Sequence, residues 1–203
     1  MQFVSIDFET ANEKRFSPCA IGVVTADTNG IVHEYYQLIN PLTSFSLFNT
    51  RIHGITEADV RDAPTYAELW PTLRKFMENR LVIAHNASFD MSVMRKTMDH
   101  FQLTYPDMDY LCTMKISKKV WPELTNHKLN TLASYHRISF EHHHALEDAR
   151  VAAKIFQKAM HSLDLTTVDQ LLDQLEMTKG RIFEHGYVPP RIKSVKRRKT
   201  LYL

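Results

Sequence analysis

"QFVSIDFE" at residues 2–9 is the stretch on which the fold turns. Its apolar positions alternate, and several are β-branched or aromatic, which is the pattern of a strand. Asp7 and Glu9 lie two apart, so a strand places both carboxylates on one face and Phe8 on the other. Two acids side by side on a buried strand repel each other and lose solvation, a cost that a bound cation offsets. The plainer reading of the pair is an exposed strand end.

Outward from this strand, "CAIGVVTA" (19–26) and "IVHEYYQLIN" (31–40) read as two more, joined by a hairpin-type turn at "DTNG" (27–30). Three strands in succession predict an antiparallel meander. The period then changes. "TYAELWPTLRKFMEN" (65–79) has helical spacing with Pro71 as an expected kink, and "LVIAH" (81–85) is a short buried-type strand. "ASFDMSVMRKTMDHF" (87–101) is an amphipathic helix, and "MDYLCT" (108–113) reads as a fifth strand. "KLNTLASYH" (128–136) and "ALEDARVAAKIFQKAM" (145–160) follow as helices, and "TVDQLLDQLEM" (167–177) as a short one. A meander followed by alternating helices and strands predicts an α/β domain with a five-stranded mixed sheet flanked by helices. The expected division is a domain over 1–165, then a short helix and a basic tail over 166–203, irregular beyond Gly180.

Composition narrows the classes. No apolar run reaches the ~20 residues that cross a bilayer. The acidic start lacks a signal-like region, and Cys19 and Cys112 form no CxxC pair. A cytoplasmic protein with no membrane contact is expected. The net charge of +2 hides an asymmetry: from Lys179 onward eight Lys/Arg face one acid, Glu184, whereas the preceding 178 residues hold 17 basic and 22 acidic residues. An acidic body would need another means of holding phosphate, and metal ions are the obvious candidate.

Two further segments carry acids. In "AHNASFD" (84–90), Asp90 falls near the first turn of a helix that Asn86 or Ser88 could cap; stabilising the helix dipole is its simplest role. Yet the carboxyl end of a strand in an α/β sheet is also where ligand sites assemble. In "HHHALEDA" (142–149), Asp148 lies early in a helix and His143 precedes it by five. A solvated loop and an ordinary helix acid are the bland alternatives. Three adjacent histidines are poorly spaced for a zinc ion without a helical turn between them.

Taken together, Asp-x-Glu, the Asp of "HNxxFD" and His-x4-Asp resemble the DEDDh 3′–5′ exonuclease family, whose members include the proofreading epsilon subunit of bacterial DNA polymerase III. "IHGIT" (52–56), the following "AP" (63–64) and "HKLNTLASYHRI" (127–138) are similar to the family's intervening segments. The resemblance covers roughly residues 1–160 and implies a ribonuclease-H-like fold. It implies that Asp7, Glu9, Asp90 and Asp148 hold two Mg²⁺ or Mn²⁺ ions and that His143 is the general base. By register, His142 and His144 are bystanders to that role, with contact to phosphate left open to either. It also places Thr10, His53 and Phe89 against the terminal nucleotide. The implied activity is 3′–5′ hydrolysis releasing nucleoside 5′-monophosphates, from DNA rather than RNA. A DNA polymerase or another replication or repair protein is the implied partner. RNA-directed hydrolysis, a non-catalytic nucleic-acid-binding module and a zinc protein built on the histidine run are the alternatives; filled acid positions favour catalysis. One departure is the run "TANEKRFSPCAIG" (10–22), where the family often has Thr-Gly-Leu. Lys14 and Arg15 there are candidates for holding phosphate, or are simply solvated.

Overall fold

The computed structural model describes residues 1–193. The meander is present: β1 (Gln2–Thr10), β2 (Pro18–Asp27) and β3 (Ile31–Leu38) pair antiparallel in succession. The β2–β3 turn closes with the Asp27 side chain accepting the N–H groups of Asn29 and Gly30. Three helices follow, α1 (Leu47–His53), α2 (Glu57–Val60) and α3 (Tyr66–Met77). Thr65 and Glu68 form a capping box at the start of α3, and this helix runs on through Pro71. The strand β4 (Leu81–Ala84) lies parallel to β1, and α4 (Ser88–His100) leads from it to β5 (Met108–Cys112), parallel to β4. After β5 come α5 (Thr113–Val120), α6 (Leu129–Tyr135), the long α7 (Ala145–Ser162) and α8 (Val168–Gln174).

The sheet is larger than expected. Four short strands end the described chain: β6 (Met177–Thr178), β7 (Gly180–Phe183), β8 (Gly186–Val188) and β9 (Arg191–Ile192). β7 pairs with the free edge of β5 and β8 with β7, giving seven strands rather than five, in the order β3-β2-β1-β4-β5-β7-β8. β6 and β9 form a separate two-stranded sheet. The expectation of irregular chain beyond Gly180 therefore fails through residue 192. The reason is tertiary: an unpaired edge of β5 would leave backbone groups without partners, and the short strands cover it. The rest of the expected basic tail, 194–203, lies outside the described residues.

Two apolar layers sandwich the sheet. On one face Val4, Ile6 and Phe8 of β1 pack with residues of α3 and α4; on the other, Phe3 joins the layer under α7. Phe3 meets Phe156 edge to face at 4.8 Å. α7 lies close because Ala149, Ala152, Ala153 and Ala159 turn towards the sheet, all buried. Its start crosses Gly22, where a Cβ would sit 2.2 Å from the Ala145 carbonyl oxygen. The α7 face of β1 thus begins with Phe3 and ends with Asp7 and Glu9, beside the first turn of α7. Among the described residues no helix is long and apolar enough to cross a membrane.

Candidate active site

The carboxyl ends of β1, β4 and β5 point to one edge of the sheet, and an open cleft of about 440 Å³ lies there. Asp7, Glu9, Asp90 and Asp148 all line it, together with Thr10, His53, Phe89, His142 and His143. Residues 7, 90 and 148 come from β1, α4 and α7, so tertiary packing alone unites them. Carboxylate oxygens of Asp7, Glu9 and Asp148 lie within 4.8 Å of one another. Asp90 is tied to the same strand from the other side, its Oδ1 accepting the N–H of Phe8 at 3.2 Å.

Asp90 owes its position to the strand-to-helix turn. Asn86 adopts a left-handed φ of 58°, which swings the chain from β4 into α4. Neither Asn86 nor Ser88 caps the helix: Ala87 is the N-cap, no side chain caps it, and Ser88 donates to Asn86 instead. That correction follows from the turn, which leaves the Asn86 side chain exposed.

Crowding dominates the electrostatics. Burial, then the charges of Asp90, Glu9 and Asp148, push the half-buried Asp7 carboxyl well above the usual carboxylate range. Burial, then Asp148 and Asp90, raise Glu9 to about 9. Burial also lifts Asp90 to about 7 against the Phe8 N–H that holds it down, and Asp148 to about 7 against the N–H of His143. Oδ1 of the buried Asp148 has no hydrogen-bond partner among the described residues. A cluster of hard oxygen donors with raised affinity for protons and an unsatisfied buried oxygen fits a hard divalent cation.

The histidine run divides. His143 has a left-handed φ of 69°, its backbone N–H donates to Asp148 Oδ2 at 3.2 Å, and its imidazole borders the cleft. Burial lowers its affinity for protons, favouring the neutral ring. His142 stacks on His143 at 3.8 Å between ring centroids. His144 turns away to stack on Tyr36 at 4.6 Å.

The expected nucleotide contacts are placed as follows. His53 Nδ1 accepts the Ile55 N–H, so the proton sits on Nε2 and is donated to the Thr10 carbonyl at 3.1 Å. Both ring nitrogens are thus engaged. Phe89 is half-buried, with the Arg15 guanidinium 4.2 Å above its ring. Sequence reasoning missed Asn49, His85 and Lys128, all on the cleft wall. Asn49 donates to the carbonyl and hydroxyl oxygens of Thr10. Its spacing of four from His53 on α1 was a readable sign of a shared polar stripe. His85 bridges Thr113 and the His127 carbonyl, and burial drives its pKa to about 4.

Comparisons with known proteins agree with this arrangement. An exonuclease family model matches residues 4–156. DNA polymerase III of the PolC type from Caldanaerobacter subterraneus subsp. tengcongensis is 34% identical over 165 residues, covering 80% of this chain and 12% of that protein. The chain thus spans only a small part of the length of that relative. Among solved structures, exonuclease X in complex with 5′ overhanging duplex DNA matches with a TM-score of 0.70 and 26% identity, over 84% of this chain and 98% of that one. The nuclease domain of 3′hExo, a DEDDh family member bound to rAMP, shares the fold at a TM-score of 0.66 and 18% identity, over 79% of this chain and 92% of that one. The chain belongs to the exonuclease family whose model it matches over three quarters of its length.

Proposed function

We propose that this chain is a metal-dependent 3′–5′ exonuclease that removes nucleoside 5′-monophosphates from DNA. The observation that carries the reading is the convergence of four carboxylates from three elements beside a neutral imidazole. Asp7, Glu9, Asp90 and Asp148 would hold Mg²⁺ or Mn²⁺, two per site. When bound, such ions lower the pKa of water, neutralise phosphate charge and stabilise a leaving oxygen.

The residues of the chain supply the rest. His143 takes a proton from the attacking water as its oxygen forms a bond to phosphorus. The bond from phosphorus to the 3′ oxygen of the penultimate nucleotide breaks, and the terminal nucleotide leaves with its 5′-phosphate. Asp148 anchors the His143 backbone and so fixes the loop that carries the base. Thr10 and Phe89 flank the terminal nucleotide, and Asn49 and His53 act by holding Thr10 in place. DNA is favoured over RNA because the curated relative is a DNA polymerase and exonuclease X is seen with duplex DNA. The same kinship supports association with a DNA polymerase or another replication or repair protein.

Digestion of single-stranded DNA, duplex DNA and RNA, each labelled at the 5′ end, tests the proposal with Mg²⁺ or Mn²⁺ present. A ladder shortening from the 3′ end, on DNA and with EDTA-sensitive release of 5′-monophosphates, is expected. Faster loss of RNA would reassign the substrate, and label released in the first product would reverse the polarity.

A further inference from the structure

His142 has no part in the reaction above, yet it is built into the cleft wall. In an extended chain, adjacent side chains point to opposite sides. The left-handed backbone at His143 breaks that alternation and brings both imidazoles to one side, stacked with 23° between their planes. One ligand nitrogen from each ring and a carboxylate oxygen of Asp148 lie within 4.8 Å of one another. The hydrogen bond from the His143 backbone to Asp148 Oδ2 fixes the loop to α7, so the three donors are held together before any ion arrives. Asp148 is only 5% exposed, and its Oδ1 is without a partner among the described residues. Asp148 also belongs to the acidic cluster, so its open oxygen marks a carboxylate that either set of donors can use.

The donor type differs from that of the acidic cluster. Asp7, Glu9 and Asp148 offer only hard oxygen atoms, which suit Mg²⁺ or Mn²⁺. Two imidazole nitrogens and one carboxylate oxygen suit a borderline ion such as Zn²⁺ or Co²⁺, with a remaining position open to water. The geometry points to a second metal site, formed by His142, His143 and Asp148, that binds Zn²⁺ or Co²⁺ and blocks the nuclease when filled. The block has two parts. The ion occupies the His143 nitrogen that would accept the proton, and it takes an oxygen of Asp148 from the acidic cluster. His144, stacked on Tyr36, stands outside the set. The binding half of this inference is independent of the proposed function; the inhibitory half rests on it.

Titration of the whole 203-residue chain with Co²⁺, followed by visible absorption and then displaced by Zn²⁺, reads the site without substrate. The wild type and Asp7→Ala should bind Co²⁺ with similar affinity, because Asp7 is not a donor. His142→Ala should weaken binding by about 10-fold or more, since a lost ligand costs at least as much as a lost outer-shell partner. The ring of His142 is exposed, so its removal should leave the fold intact, and a melting curve checks this. His142→Ala should also keep the Mg²⁺-dependent rate while raising the half-inhibiting Zn²⁺ concentration by the same factor. His142→Asn, which keeps the polarity and removes the ligand nitrogen, should behave alike. Co²⁺ binding lost in Asp7→Ala and unchanged in His142→Ala would overturn the site, placing the ion in the acidic cluster. An inactive wild type that still shows His142-dependent Co²⁺ absorption would instead count against the exonuclease reading alone.

Discussion

A Cβ added to Gly22 would stand 2.2 Å from the carbonyl oxygen of Ala145, a backbone atom that cannot rotate aside. Gly22 is the partner of Asp7 across the β1–β2 ladder, and Ala145 is the first residue of α7. One missing side chain therefore sets how near Asp148 comes to Asp7. Gly22→Ala should push the start of α7 outward and lower kcat by about 10²-fold, the scale of a 1 Å misplacement. A stability loss of about 1–3 kcal/mol from overpacking should accompany it. Steady-state rates and a thermal melt measure both, and wild-type turnover would show that the contact relaxes at no cost to the site.

Asp7→Asn separates function from stability. Loss of charge at the centre of the cluster should reduce turnover by about 10²–10³-fold or more, the range for losing one transition-state stabiliser. The metal-free variant should melt at a higher temperature than the wild type, because one of the repelling buried charges is gone. The pH dependence has a definite sign. Asp90 and Asp148 titrate near 7 and Glu9 near 9 in the folded protein, and Asp7 is raised as well. Between about pH 4, the usual carboxylate value, and these values the folded state binds more protons than the unfolded one. Stability of the metal-free protein should thus fall as pH rises through this window. Saturating Mn²⁺ should flatten the slope by replacing protons with a cation. Melting temperatures from pH 5 to 9 (roughly the span of the raised carboxyl groups), with and without Mn²⁺, test this; a metal-free Tm that rises across it would refute the account.

The histidines should separate by role. His143→Ala should lower kcat by about 10²-fold or more, the scale of general-base catalysis, with Mn²⁺ binding largely kept. His144→Ala should instead cost about 0.5–1.5 kcal/mol of stability, the scale of a stacked aromatic pair, and leave chemistry nearly unchanged. A rate defect in His144→Ala larger than that in His143→Ala would reverse the assignment.

Testing the basic tail requires a cut at the right place. Removal of everything after Met177 would strip away β7, whose Ile182 is fully buried, and unfold the edge of the sheet. A stop after Lys193 removes Lys196, Arg197, Arg198 and Lys199 and spares every strand described. If those charges tether DNA, KM for long substrates should rise at low salt while kcat stays constant. A dinucleotide should be unaffected. Counterion release predicts a log–log salt slope shallower by about 0.7–0.9 per lost phosphate contact. Identical slopes for the two proteins would exclude the tether.

What was legible in the sequence was local. The strand period of two put Asp7 and Glu9 on one face, and the meander followed from apolar runs separated by a recognisable turn. The site's acids were legible only through their joint pattern, Asp-x-Glu with the Asp of "HNxxFD" and His-x4-Asp, which resembles a known family; each segment alone had an ordinary structural reading. β7 and β8 were hidden because strands of four and three residues carry too little alternation to register. Their existence depends on the open edge of β5, a tertiary fact. α5, "TMKISKKV", was missed because two of its three buried residues, Thr113 and Ser117, are polar and only Ile116 is apolar. The approach of two adjacent histidine rings was invisible too, since it needs a left-handed φ at a residue that is not glycine. His53 suggested a nucleotide contact; it lines the cleft, and its ring nitrogens bond the Thr10 carbonyl and the Ile55 N–H.

The distribution of the carboxylates along the chain has a kinetic consequence. The acidic cluster draws on residues 7, 9, 90 and 148, so its completion waits for contacts across more than two thirds of the given chain. Such long-range contacts form late, after the entropy of closing the intervening chain has been overcome. A nascent chain that has not yet delivered α7 lacks Asp148 and His143, and it cannot cut nucleic acid near the ribosome that makes it. The first appearance of activity during refolding is therefore a clock for the docking of one helix.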